Sequence, residues 1–253
     1  KVFGAPGTAN GATGASYGLP RFRQAEFAAR FPFATVALHD DAVPLEVTLV
    51  GWSPFIPNAA DDSSLPVGAL EYTFRNPTKE KVELVFSFNT KNFMASEKGD
   101  TILPVENGFV LYQKGSDKAP QKEGSFAVLV LGEQSVVDHC WFKGGWWDGL
   151  TLAWRNVQEG TLRANPPVDG SCPGASLFVP ISVEPGAEKT IRLLTAWYVP
   201  NSDVRFGNDP KDAGACCPNK ASSCCPANKT HVPWYAGKFK DVGEVAQYWK
   251  KNY

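Results

Sequence analysis

Two pairs of adjacent acids, Asp40-Asp41 and Asp61-Asp62, are the first residues whose type could do chemistry, because paired carboxyl groups hydrolyse glycosidic bonds. Retaining enzymes hold such a pair about 5–5.5 Å apart, across the sugar from one another. Sequence neighbours cannot flank a substrate in that way, and a loop aspartate ordinarily bonds nearby backbone as a turn former. Asp138-His139-Cys140 invites a nucleophile-and-base reading. Successive strand residues point to opposite faces, so His139 reads as a core or edge histidine and not as half of a dyad. Cys216-Cys217 and Cys224-Cys225, with His231 beyond, could hold zinc, form disulfides or stay as free thiols. Zinc prefers cysteines two to four residues apart, so adjacent ones fit a tetrahedral ion poorly. Two short disulfides around the Pro218 to Ser223 loop suit an exported protein better, which tilts the location toward periplasmic or extracellular. The pattern calls for no metal and no other cofactor.

Aromatic residues form the other candidate group. Trp141, Trp146, Trp147 and Trp154 crowd one region, with Gly144-Gly145 and Asp148-Gly149 between them. Solvent-facing indoles could stack on sugars, as in a stand-alone carbohydrate-binding module, or fill a sandwich core. Glycine-flanked aromatics beside a long connection fit better as a seam clamped by a partner. A second concentration lies in WSPFIPNAADDSSLPV, residues 52–67, where Trp52, Phe55 and Ile56 are stiffened by Pro54, Pro57 and Pro66.

The elements that must position these residues follow a period of two. Leu70, Tyr72 and Phe74 alternate with Glu71, Thr73 and Arg75, and the same happens over Val82–Phe88, Leu177–Val183 and Ile191–Trp197. Such alternation places one face in a core and leaves the other polar, as in antiparallel sheets. Asn76-Pro77 and Glu184-Pro185-Gly186 supply turn chemistry between strands. About ten strands are expected, with no helical pattern interleaved, which disfavours a parallel βαβ architecture. The expected fold is therefore all-β, a large β-sandwich of two antiparallel sheets. Residues 1–18 read as a flexible approach segment, 19–200 as the sandwich and 201–238 as a long cysteine-rich surface loop. Residues 239–253 close in a helix. Asp241 and Glu244 form a capping box, and Val242, Val245, Ala246 and Trp249 make one apolar stripe. A helix this short is marginal alone, so it must dock or continue into something longer.

Bulk composition narrows the partners. Charge is balanced, 25 basic against 26 acidic residues, so no polyanion-binding surface and no nucleic-acid partner is expected. The longest apolar run, Phe126 to Gly132, is far short of a membrane span. The chain opens at Lys1 with no signal-peptide pattern, and both termini read as cut from a longer protein.

Several stretches, in order along the chain, resemble one family: Gly18-Leu19-Pro20-Arg21-Phe22-Arg23, Arg30-Phe31-Pro32-Phe33-Ala34, Trp52-Ser53-Pro54-Phe55-Ile56-Pro57 and Asp62-Ser63-Ser64-Leu65-Pro66-Val67. Thr73-Phe74-Arg75-Asn76-Pro77, Ala196-Trp197-Tyr198-Val199-Pro200 and Phe239-Lys240-Asp241 continue the series. Together they resemble the N-terminal domain of the non-lysosomal glucosylceramidase, or bile-acid β-glucosidase, family. The resemblance implies a sandwich that precedes an (α/α) toroid. It implies retaining β-glucosidase chemistry on glucosides or glycolipids in that toroid, with no catalytic residue in this chain. The downstream helical catalytic domain is then the expected partner, and the short C-terminal helix leads toward it. Trp52, Phe55, Ile56, Asp62, Trp146, Trp147 and Asp148 are the residues expected at its interface or active-site rim. The cysteine-rich insert has no counterpart in the family pattern.

Overall fold

A computed structural model describes residues 21–144, 149–204 and 230–253. Its strands are β1 (Gln24–Arg30), β2 (Phe33–His39), β3 (Glu46–Trp52), β4 (Val67–Arg75), β5 (Val82–Lys91), β6 (Asp100–Val105), β7 (Gly108–Gln113), β8 (Gly124–Leu131), β9 (Val136–Asp138), β10 (Gly174–Val183) and β11 (Glu188–Tyr198). Four helices join them: α1 (Ala60–Ser63), α2 (Gly149–Glu159), α3 (Trp234–Lys238) and α4 (Val242–Asn252). All strand pairing is antiparallel. An eight-stranded sheet runs β1-β2-β3-β4-β11-β8-β7-β6, and a three-stranded sheet runs β5-β10-β9.

The sheets meet through the residues whose alternation is visible in the sequence. Val47, Phe74, Ile102, Phe109, Leu111, Val128, Ile191 and Leu193 of the large sheet pack on Phe86, Leu177, Val179, Ile181 and Val183 of the small one. Asn76 locks one end of this sandwich. Its amide nitrogen donates to Glu80 O at 2.7 Å and Val183 O at 2.9 Å, so one buried side chain ties the turn after β4 to the end of β10. Opposite it, Gly186 takes a φ of +71°, which the glycine of the Pro185-Gly186 turn adopts without strain.

In its central strands the large sheet departs from the one-wet-face pattern. Leu129, Leu194, Ala196 and Tyr198 point away from the small sheet yet are buried, because α4 lies over them. Val242, Val245, Ala246 and Trp249 form the apolar stripe of α4 and close this second core. The capping box forms in modified shape: Asp241 accepts from Glu244 N at 2.9 Å, while Glu244 reaches Lys240 N at 2.8 Å. Tyr198 OH donates to Phe239 O at 3.0 Å and Trp249 Nε1 to Gly68 O at 3.2 Å, pinning both ends of the helix to the sheet. Of the two fates open to the terminal helix, docking is the one seen, and it docks on its own sandwich.

Helix α2, between β9 and β10, is an element that strand periodicity did not anticipate. Leu150, Ala153, Trp154 and Val157 fall on one stripe, and Gly160 at φ +63° ends the helix. Gly160 N donates to Val157 O and Thr161 N to Asn156 O, the paired bonds of a Schellman motif. None of the described helices is long and apolar enough to cross a membrane.

Candidate functional site

The segment from Trp52 to Val67 leaves the large sheet between β3 and β4 and folds back on itself. Ser63 holds the fold: its Oγ accepts from Ile56 N at 2.9 Å and donates to Ile56 O at 3.0 Å. Ala59 N also bonds Ile56 O, so the backbone of Ile56 is fixed while its side chain points outward. Asp61 and Asp62 do not cap backbone groups here. Asp62 accepts from Tyr248 OH of α4 at 3.0 Å, and Asp61 lies 3.9 Å from Lys238 of α3.

Trp52 anchors the base. Its ring stands 5.3 Å from Trp249 and 5.4 Å from Tyr253 between centroids, and those two are 5.5 Å apart. Glu71 collects two donors beneath them, Trp52 Nε1 at 2.8 Å and Tyr253 OH at 2.6 Å. Burial first, and the Glu71 carboxylate second, push the Tyr253 phenol well above its ordinary value, so it stays protonated and donating.

Around this anchor the surface is apolar and open. The β1–β2 hairpin brings Phe31 and Phe33 beside the loop; Phe31 meets Phe55 edge-on at 4.7 Å and Phe33 faces Trp52 at 6.0 Å. Phe31 is 75% exposed, Phe55 52%, Ile56 49% and Phe33 47%. Large rings held in place but left in water mark an interaction surface more than a chance exposure. Phe31 and Phe33 were not among the sequence candidates. Their signal was the Phe-Pro-Phe placed at a hairpin turn, where no core position explains two aromatics.

The tryptophan-rich region divides. Trp141 is sealed: its Nε1 donates to Ser176 Oγ at 2.8 Å, its N to Gly174 O at 2.9 Å, and the ring lies so close over Gly174 that a Cβ there would meet it at 2.7 Å. It belongs to the core and not to a seam. Trp154 is half-buried on α2. Trp146, Trp147 and Asp148 lie outside the described residues, as do Cys216, Cys217, Cys224 and Cys225. The ends of the cysteine-bearing segment are held together, with Ser202 and His231 exchanging backbone hydrogen bonds of 2.9 and 2.8 Å. His139 and Cys140 do not meet as a dyad: His139 Nδ1 is 2.9 Å from Asn165 O, while Cys140 is buried in the inner core.

A family model described as beta-glucosidase 2, glycosyl-hydrolase family 116 N-term, matches residues 6–253. The chain belongs to this family. It is thus an N-terminal domain of a β-glucosidase-like glycoside hydrolase, and the reading as a free-standing carbohydrate-binding module is not favoured. No curated protein matches the family 116 domain described here. Among solved structures, it is similar to the Slr1438 protein of Synechocystis sp. PCC 6803, with 10% identity, 69% of this chain and 66% of that one covered, and a TM-score of 0.36. It is also similar to a TPR-domain containing protein of Parabacteroides distasonis, with 7% identity, 83% and 38% coverage and a TM-score of 0.36. The chain therefore spans about two thirds of the first protein and well under half of the second.

Proposed function

We propose that this domain serves as the docking platform for a helical catalytic domain of the same protein, and that the aromatic loop face helps shape the rim of the active site carried there. The observation that carries the reading is the cluster of Phe31, Phe33, Phe55 and Ile56, exposed although Phe31 packs on Phe55, Phe33 lies beside Trp52, and Ser63 bonds the Ile56 backbone. Prolines on either side reduce the conformational entropy that such a loop loses when a partner clamps it. Trp146, Trp147 and Asp148 are assigned to the same interface from their sequence alone. The substrate assigned to the whole protein is a β-linked glucoside, with a glucosylceramide-like glycolipid as the finer assignment. Catalytic carboxyl groups are assigned to the helical domain, none to this one.

The test uses the full-length protein. Phe55→Ala with Ile56→Ala should lower kcat/KM for an aryl β-glucoside by about tenfold or more, the loss expected when a clamped apolar contact of roughly 1.5–3 kcal/mol is removed. Unchanged activity together with unchanged domain association would refute the docking role. Glucosylceramide turnover by the unaltered protein separates the glycolipid assignment from a simple glucosidase.

A further inference from the structure

Two buried thiols take no part in the aromatic face. Cys140 lies two residues past the end of β9, and Cys172 two residues before β10, the strand with which β9 pairs. Both side chains sit in the inner core, 8% and 2% exposed. The segments that carry them are joined, because Trp141 N donates to Gly174 O at 2.9 Å just beyond the β9–β10 pairing. Both belong to the one buried cluster between the sheets, and the Cys140 thiol is, after burial, among the influences that raise the Cys172 thiol. Residues 141–171, with α2, form the connection that begins and ends at this pair.

We propose that Cys140 and Cys172 form an intramolecular disulfide when the chain folds in contact with a disulfide oxidant, such as oxidised glutathione or an oxidised dithiol protein. As the S–S bond forms, the two thiols release two protons and two electrons, and the oxidant's own disulfide takes them up to become two thiols. The bond staples both ends of the α2 connection to the strand pair β9–β10. Burial pushes the Cys172 thiol up to about 12, so in the folded chain it is a poor nucleophile and exchanges slowly. The oxidant therefore acts while the segment is still open, and the closed core afterwards shields the bond from reductant. Closing a connection of this length constrains the unfolded chain and favours the native state.

The unaltered chain is refolded in a glutathione redox buffer, capped with N-ethylmaleimide under denaturing conditions and digested with trypsin. Cleavage after Lys122, Lys143, Arg163 and Lys189 places Cys140 in peptide 123–143 and Cys172 in peptide 164–189. Cys216 and Cys217 fall in 212–220, and Cys224 and Cys225 in 221–229, so every pairing has its own mass. The expected result is a 123–143 species joined to 164–189 that separates on reduction. Recovery of both peptides capped, carrying glutathione, or joined to the other cysteine peptides would overturn the proposal. Oxidation should also raise Tm by about 5–10 °C over that of the reduced chain, and this part of the rise should vanish in Cys140→Ala with Cys172→Ala. A joined peptide with no rise in Tm would overturn the staple.

Discussion

Trp52 and Trp141 look alike in sequence, each an indole opening a stretch of aromatics with residues that shape turns, and they end in opposite situations. Trp141 is enclosed: one ring edge lies over Gly174, its nitrogen is satisfied by Ser176, and the chain around it is tied by Asn165 Nδ2 to Asp138 at 2.8 Å. Trp52 is half-covered and serves as a footing, with Trp249 and Tyr253 on one side and water-facing phenylalanines on the other. What separates them is the neighbour each ring meets. Trp141 meets a glycine that leaves room for a ring, whereas Trp52 pairs in register with Phe33, which pushes aromatic bulk outward. Aromatic density alone marks neither a core nor an interface.

The contrast can be broken most forcefully at the sealed end. Trp141→Ala should cost about 3–5 kcal/mol of unfolding free energy, read from the urea midpoint. Gly174→Ala should cost about 1–3 kcal/mol by the same measurement, since its Cβ would lie 2.5 Å from Thr90 O as well as against the Trp141 ring. Trp52→Phe keeps the ring cluster but removes the bond to Glu71, and should cost about 1 kcal/mol.

A pH effect sharpens the sealed side further. Burial is the largest influence on Asp138 and raises its pKa, although Asn165, Cys140 N and Arg163 all pull the other way. The folded chain thus binds this proton more tightly than the unfolded chain. Its stabilising contribution is complete below the ordinary carboxylate range near ~4 and is lost as pH rises through the raised value. Asp138→Asn removes that titration, so the variant should gain stability relative to the parent as pH rises through that window, seen by comparing urea midpoints at several pH values. Smallest of all, Phe55→Ala should shift the stability of the 253-residue chain by no more than about 0.5 kcal/mol, because the residue is 52% exposed and its ring partner, Phe31, is itself at the surface.

Much of the sandwich was legible because alternate residues such as Leu70-Tyr72-Phe74 and Ile181-Val183 face the inner core while Arg75, Pro180 and Ser182 are exposed. The capping box at Asp241 and Glu244 was legible for the same local reason. The second buried face was not: Leu129, Leu194, Ala196 and Tyr198 are buried on the outer side because α4 returns from far along the chain to cover them, and no local pattern states that. Helix α2 carried its stripe at Leu150, Ala153, Trp154 and Val157, but a two-turn stripe between Gly-Gly-Trp-Trp and Gly160 is easily read as loop. In the candidate site, Trp52, Phe55 and Ile56 were legible as proline-stiffened bulk. Phe31 and Phe33 were not, since their proximity depends on a hairpin lying next to the loop in space. Asp62 was expected among the turn's own backbone groups and instead bonds Tyr248, a partner separated by most of the chain.

Hydroxyl-radical footprinting of the 253-residue chain and of the full-length protein compares these regions in one experiment. Phe31 and Phe55 should be oxidised readily in the shorter chain and protected at least severalfold in the full-length protein, with Trp141 unreactive in both. Equal oxidation of Phe31 and Phe55 in the two forms would contradict the claim that this face is covered by the catalytic domain.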